Sequence, residues 1–187
     1  MKEKTLNHLI FLKFKLFSAV VYSFGQGRNT KSLIERAIEL KRIGNYDQVW
    51  CVFDRDDHGV GNFNAAIEIA RKNNINVAYS IQAFEYWLIL HFEDHQGGKM
   101  HRRDYNKKIN SYTNPFGINF DGNGNKVITD ELFELLDGVD EISQKPRIEL
   151  AIKRAKRNYE KFDHRSPGTE ESSSTVFRLM EEIQKYL

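Results

Sequence analysis

Apolar residues along this chain follow two periods, and the change from one to the other sets out the expected elements. Leu6, Leu9 and Ile10, with Lys13, fall on one side of a helical wheel, which predicts a core-facing helix over 5–14. Residues 18–24 are β-prone. Leu33, Ile34, Ala37, Ile38 and Ile43 give the inward stripe of a helix over 31–42, stopped by Gly44-Asn45. Val49 to Phe53 is an unbroken apolar run rich in β-branched and aromatic residues, the signature of a strand buried on both faces of a parallel sheet. After a turn at 59–61, Asn62 is placed to cap a helix reaching Asn73, with Phe63, Ala66, Ile67 and Ala70 inward. A strand over 75–80 and an apolar helix over 84–92 follow, the latter packing Phe84, Trp87, Leu88 and Phe92. Strand and helix alternate in the order of a parallel α/β sheet with right-handed crossovers, flanked by helices.

From Glu93 the pattern breaks. A Gly-Gly pair, Asn114-Pro-Phe-Gly117 and Asp121-Gly-Asn-Gly-Asn125 predict a loop-rich insertion or lid over 93–144. Two helices over 147–162 and 175–187 close the chain, with Ser172 to Ser174 available as caps. Residues 1–187 read as one domain carrying that insertion.

Hydrophobic residues at 40% and charged residues at 29% are ordinary for a globular protein, and the formal charge of +2 makes no global argument for a polyanionic partner. The charge is uneven, however. Residues 145–165 hold eight Lys/Arg against three acids, and 99–108 hold five against one. Such runs meet phosphates or simply solvate a helix face. The single cysteine, Cys51, excludes an intramolecular disulfide and a cysteine zinc site, which fits a reducing cytoplasm. Lys13 and Lys15 interrupt the apolar stretch at 6–22, so no membrane span is expected.

The candidate chemistry lies where the apolar strand ends. Asp54, Asp56 and Asp57 follow Phe53 directly, and open parallel sheets place ligands beyond the carboxyl ends of their strands. Hard oxygen donors at this density suit Mg²⁺ or Mn²⁺, and the same residues also suit a solvated, helix-capping turn. Glu85, after the neighbouring strand, can reach the same cavity or can serve the helix macrodipole alone. His58 beside the acids is a candidate for orienting water or touching phosphate, whereas His91 on an apolar helix reads as a packed histidine. Gly25-Gln-Gly-Arg-Asn-Thr30 lacks the Lys-Ser/Thr of a Walker loop and reads as a tight turn. Asp121-Gly-Asn-Gly-Asn125 misses the glycine and glutamate of a calcium loop and reads as a hairpin turn.

Tyr46-Asp-Gln-Val-Trp-Cys-Val-Phe-Asp-Arg-Asp-Asp-His58, Phe63-Asn-Ala-Ala66, Val77-Ala-Tyr-Ser80 and Phe84-Glu-Tyr-Trp-Leu-Ile-Leu-His-Phe92 together resemble the RloB-like family. Ala151-Ile-Lys-Arg-Ala155 and Ser173-Ser-Thr-Val-Phe-Arg-Leu179 extend the likeness over most of the chain. The resemblance implies a small Toprim-like, Rossmann-like domain found near restriction-modification and abortive-infection genes, often with a companion ATPase. It implies a Mg²⁺- or Mn²⁺-dependent nuclease-like protein of phage defence. Asp54 and Asp56 match the metal-binding Asp-x-Asp pair, Glu85 stands as an accessory catalytic acid, and Arg102, Arg103, Lys153, Arg154 and Arg157 are candidate contacts to DNA or RNA. A homo-oligomer is compatible with this reading.

The N-terminus departs from the family pattern of a strand ending in Glu-Gly before the first helix. Here Glu3 is the only nearby acid, and the first strand reads as missing. That departure supports the alternative of a non-catalytic nucleic-acid-binding or regulatory subunit of an ATPase-containing defence complex. A small-molecule phosphotransferase or phosphatase is a third reading, since parallel sheets host many chemistries.

Overall fold

The computed structural model of the protein describes residues 7–15, 18–25, 30–55, 59–96, 100, 102–122 and 126–186, with residues up to 25 and residues 102 and 103 as backbone. Its first elements correct the sequence reading. Residues 7–15 form a strand, β1 (Asn7–Lys15), which pairs antiparallel with β2 (Ser18–Gly25), from His8 opposite Gly25 to Lys15 opposite Ser18. The helix expected over 5–14 is absent because Leu9 to Leu12 is apolar without interruption, and such a run carries no period that separates helix from strand. Nor is the first strand missing: two strands precede the first helix, α1 (Thr30–Ile43).

β3 (Gln48–Asp54) and β4 (Asn76–Ser80) pair in parallel, from Trp50 opposite Asn76 to Asp54 opposite Ser80. β1 lies antiparallel on the other side of β3, giving the order β2-β1-β3-β4. The sheet is therefore mixed, and the parallel geometry expected throughout is confined to β3 and β4.

Six consecutive buried residues make β3 the centre of the molecule. Because side chains alternate across a strand, Val49, Cys51 and Phe53 enter one core and Trp50 and Val52 another. The first core is closed by α1 and by α2 (Val60–Lys72), through Leu33, Ile34, Phe63 and Ala66. Phe63 stands edge-on to both Phe53 and Tyr79, with ring centroids 5.6 and 5.4 Å apart. Ile43, expected inward, is the last residue of α1 and is 78% exposed. Asn62 does not cap α2: Gly59 holds the cap position, and no side chain bonds the exposed amides there.

The second core is wholly helical on its outer side. It joins α3 (Glu85–Ile89), α4 (Arg102–Thr113), α5 (Asp130–Asp137), α6 (Arg147–Tyr159) and α7 (Val176–Gln184). The segment expected to be loop-rich thus carries two helices, and Tyr105, Ile109, Phe120, Leu132 and Leu136 bury its apolar face in the common core. Asn110 fastens the connection between them, accepting the Phe120 N–H and donating to the Phe120 carbonyl, both at 2.8 Å. Asn106 accepts the Gly122 N–H at 2.9 Å, an approach so close that a Cβ on Gly122 would fall 2.8 Å from the Phe120 ring.

The outer edge of β4 is sealed by residues 173–175. Thr175 donates its N–H to the Tyr79 carbonyl at 2.8 Å and accepts the Tyr79 N–H on its hydroxyl at 2.9 Å. Ile81 N–H meets the Ser173 carbonyl at 2.8 Å, and the hydroxyls of Ser80 and Ser174 touch at 2.9 Å. The serines expected to cap the last helix therefore act chiefly as a sheet-edge bridge, although the Ser174 hydroxyl also accepts the Val176 N–H at 3.4 Å. Thr175→Val keeps the shape and removes the acceptor for a buried amide, an error that costs about 1–3 kcal/mol. Chemical denaturation is expected to show that loss, and an unchanged midpoint would remove the bridge from the stability account.

His91 supplies a second prediction. Its Nδ1–H donates to the Trp87 carbonyl at 3.0 Å, and burial lowers its pKa to about 4. Between that value and the ordinary ~6.5 the unfolded chain takes up a proton that the folded chain refuses, so stability falls with falling pH in this window. The contribution reaches about 3 kcal/mol at full protonation of the unfolded state. Stability measured from pH 7 to pH 4 is expected to decline less steeply for His91→Gln than for the natural protein.

Candidate functional site

Parallel pairing brings the carboxyl ends of β3 and β4 side by side, with Asp54 opposite Ser80 and Ser80 bridged to Ser174. All three are buried, Asp54 at 1% exposure. They form a buried polar row across the ends of β3 and β4. By alternation Asp54 shares the face of Trp50 and Val52, the side covered by α3. Glu85, in the first turn of α3, is buried on that same side of the sheet.

A buried carboxylate requires a compensating charge or donors. Glu85 finds one in Lys126, whose ammonium lies 2.8 Å from its Oε1. Lys126 follows the connection that Asn106 and Asn110 hold against α4, and it takes a left-handed backbone angle, φ +54°. The segment between α4 and α5 thus delivers a cation to an acid of the α/β core. No motif in the sequence signalled this pair, since its partners are 41 positions apart and Lys126 adjoins what reads as a simple turn.

Beside the row lies a cavity of about 160 Å³ bordered by Arg55, Gln82, Tyr105, Glu170 and Ser172. That is room for an ion and several waters, not for a nucleotide. The Arg55 N–H extends the ladder to the Ser80 carbonyl at 3.0 Å, and its buried side-chain Nε has no acceptor among the described residues. Arg55 is the second feature that sequence reasoning missed, although it stands between the two aspartates of the Asp-x-Asp pair. Gln82 at the cavity wall has φ +71°, a conformation that non-glycine residues seldom adopt outside turns and sites.

The remaining expected site residues are dispersed. Asp56, Asp57 and His58 lie outside the described residues, as do Glu3, residues 26–29 of the first glycine turn and 123–125 of the second. Among the described residues no three His, Cys, Asp or Glu side chains converge as a metal cage. Arg102 and Arg103 open α4, and their side chains are outside the described atoms. On α6, Lys153 is exposed. Arg154 is half-buried and donates to the Leu90 carbonyl at 2.8 Å, closing the end of α3. Arg157 pairs with Asp94. Of the three candidate contacts on this helix, Arg154 and Arg157 are thus engaged within the fold.

A further buried network ties the strand-end region to α6. Asn158 donates to both the Tyr86 hydroxyl and the His95 carbonyl at 2.9 Å, and Tyr86 donates to the same carbonyl at 3.0 Å. Glu93 next to it gathers Tyr112, Lys108 at 2.9 Å and His95 at 3.2 Å. This network fixes the chain that leaves α3 and is structural in character.

Among the described residues no helix is long and apolar enough to cross a membrane. Comparison with curated proteins and with solved structures found no match. The family model described as RloB-like protein matches residues 7–183, which includes β1 through α7 with nearly all of the last helix. The buried Asp54, the Phe-Glu that opens α3 and the Ser-Ser-Thr bridge all fall inside that match, and the chain belongs to the RloB-like protein family.

Proposed function

We propose that this chain is a Toprim-type, divalent-metal-dependent nuclease-like protein that cleaves phosphodiesters of DNA or RNA in phage defence. The observation that carries the reading is Asp54, a buried carboxylate at the carboxyl end of the parallel β3–β4 pair, with Glu85 buried on the same side. Ligand sites of open α/β sheets favour this position. The donor set fits a hard cation: Asp54 with the neighbouring Asp56 would hold Mg²⁺ or Mn²⁺, and Glu85 would be the accessory acid. Such an ion, when bound, polarises phosphate oxygens and lowers the pKa of a coordinated water. The chain's own part is to position and to neutralise. Arg55 offers a guanidinium Nε–H that has no acceptor among the described residues at the adjoining cavity, suited to one phosphate oxygen. Lys153 on α6 and Arg102 and Arg103 in the opening turn of α4 would be the contacts to a nucleic-acid backbone.

One observation favours the second reading, a non-catalytic nucleic-acid-binding or regulatory subunit working with a companion ATPase. Lys126 already neutralises Glu85, so this acid is not idle while it waits for a metal.

Asp54→Asn changes charge with little change of shape. Cleavage of DNA and RNA in Mn²⁺ or Mg²⁺ is expected to fall at least about 100-fold, the scale of several kcal/mol of lost transition-state stabilisation. Equal activity in the variant ends the nuclease assignment. Lys126→Met separates the two readings. If Glu85 serves the metal, removing the competing ammonium raises Mn²⁺ affinity roughly tenfold. If the pair is purely structural, affinity stays unchanged while stability drops by roughly 2 kcal/mol, less than for a fully enclosed pair because Lys126 is partly exposed.

A further inference from the structure

A second polar cavity, of about 520 Å³, lies on the outer side of β4 between α2, the start of the strand and the residues that follow α6. Its size suits a small ligand. Its lining is cationic: Arg71, His164, Arg165 and Arg178 stand against Glu68 alone. Two of these are neutralised locally, Arg71 by Glu68 at 2.9 Å and Arg165 by Asp163 at 2.8 Å. The other two are held in place without spending their outward donors.

Tyr159 organises them. The His164 ring stacks on it at 3.6 Å between centroids and an interplanar angle of 11°, and the Arg178 guanidinium packs against it at 4.6 Å. Arg178 has no carboxylate within ion-pair distance and no side-chain hydrogen bond among the described residues. Stacking removes part of its conformational freedom in advance, which lowers the cost of ligand capture. His164 is fixed from behind. Its Nδ1 meets the Glu170 carboxylate at 2.8 Å, so Nδ1 carries a hydrogen and Nε2 is left for a ligand. Glu170 is 3% exposed and is itself braced by the Tyr79 hydroxyl at 3.3 Å. His164 also holds φ +58°, a conformation uncommon for a residue with a Cβ and consistent with a position set by its surroundings.

We propose that this cavity is a phosphate-recognition site in which Arg178 and His164 together hold a phosphoryl group, either the terminal phosphate of a nucleotide or inorganic phosphate. Both side chains line the same cavity, so a phosphate ester held there can meet the two of them. Guanidinium forks match phosphate oxygens in geometry and charge, and the Nε2 left open accepts the hydrogen of a protonated phosphate oxygen. Ile67, Ile75 and Val77 give the cavity an apolar wall against which the rest of a nucleotide can lie. The site stands apart from the strand-end aspartates and does not depend on the nuclease reading.

Calorimetry on the full chain in EDTA, which removes any contribution from a metal at the strand ends, tests the assignment. The probes are a nucleoside 5′-monophosphate, inorganic phosphate and the unphosphorylated nucleoside. Saturable binding of a phosphorylated probe is expected, with none for the nucleoside. Arg178→Ala is expected to weaken it about tenfold or more and Arg178→Lys to restore part of it, the scale of a lost charge-assisted contact. Tighter binding of the monophosphate identifies a nucleotide site, and equal binding of both probes identifies a free-phosphate site. Arg178 is solvent-exposed, so an unchanged melting curve for the alanine variant separates loss of ligand from loss of fold. No saturable binding up to about 10 mM, a concentration well above the Kd of a specific phosphate site, overturns the proposal. So does affinity indifferent to Arg178→Ala.

Discussion

Closing the outer edge of β4 is the constraint around which the rest of the molecule is arranged. A parallel pair has no stability by itself, because its unsatisfied edge amides and both faces must be covered. Here the other side of the pair is completed by β1, and the outer edge of β4 by Ser173, Ser174 and Thr175. These three residues come almost a hundred positions after β4, so the fold is held by a contact of very long range. That contact sets the start of α7, directs the chain from α6 across the sheet end and leaves Glu170 buried between two cavities.

Charge burial follows from the same geometry. A strand that must be apolar on both faces ends in Asp54, and the helix that follows β4 opens with Glu85, so two acids enter low-dielectric surroundings at one end of the sheet. Their electrostatic cost has to be met by cations or hydrogen bonds, and a buried ion pair is weak evidence of added stability. The Lys126–Glu85 contact is therefore better understood as a condition on where Lys126, at the start of the approach to α5, can lie. With Asn110 gripping both polar groups of Phe120, that connection is fixed from two directions.

The sequence was most legible where one period dominated and tertiary context agreed with it. β3, β4, α1, α2 and α6 appear where their patterns put them, and the parallel register of β3 with β4 brings Asp54 and the Glu85 helix to one side, as expected from chain order. It was least legible where partners were remote. Residues 7–15 fit a helix template until β2 and β3 offered edges on both sides. Ser172 to Ser174 carry the composition of a helix cap, but β4 supplied unpaired amides that compete for the same groups. Residues 93–144 looked like loops because their turn residues are conspicuous and their few apolar anchors are widely spaced. Lys126, Arg55 and the His164–Glu170 pair were invisible for a related reason: each matters through a neighbour or a cavity that no local motif encodes.

Basic residues make the clearest case that composition does not fix role. The α6 run reads as a patch for polyanions or a solvated helix face, yet Arg154 closes the carbonyl end of α3 and Arg157 balances Asp94. Lys156 pairs with Glu181 at 2.5 Å across to α7. Arg178, by contrast, is one isolated cation in an apolar-patterned helix and draws no attention in sequence. It packs on Tyr159, with its donors uncommitted among the described residues, and faces a cavity of useful size. What sets Arg178 apart from those three cations is a fixed orientation with no carboxylate partner among the described residues. Local composition does not separate the committed Arg154, Lys156 and Arg157 from Arg178; their neighbours in the fold do.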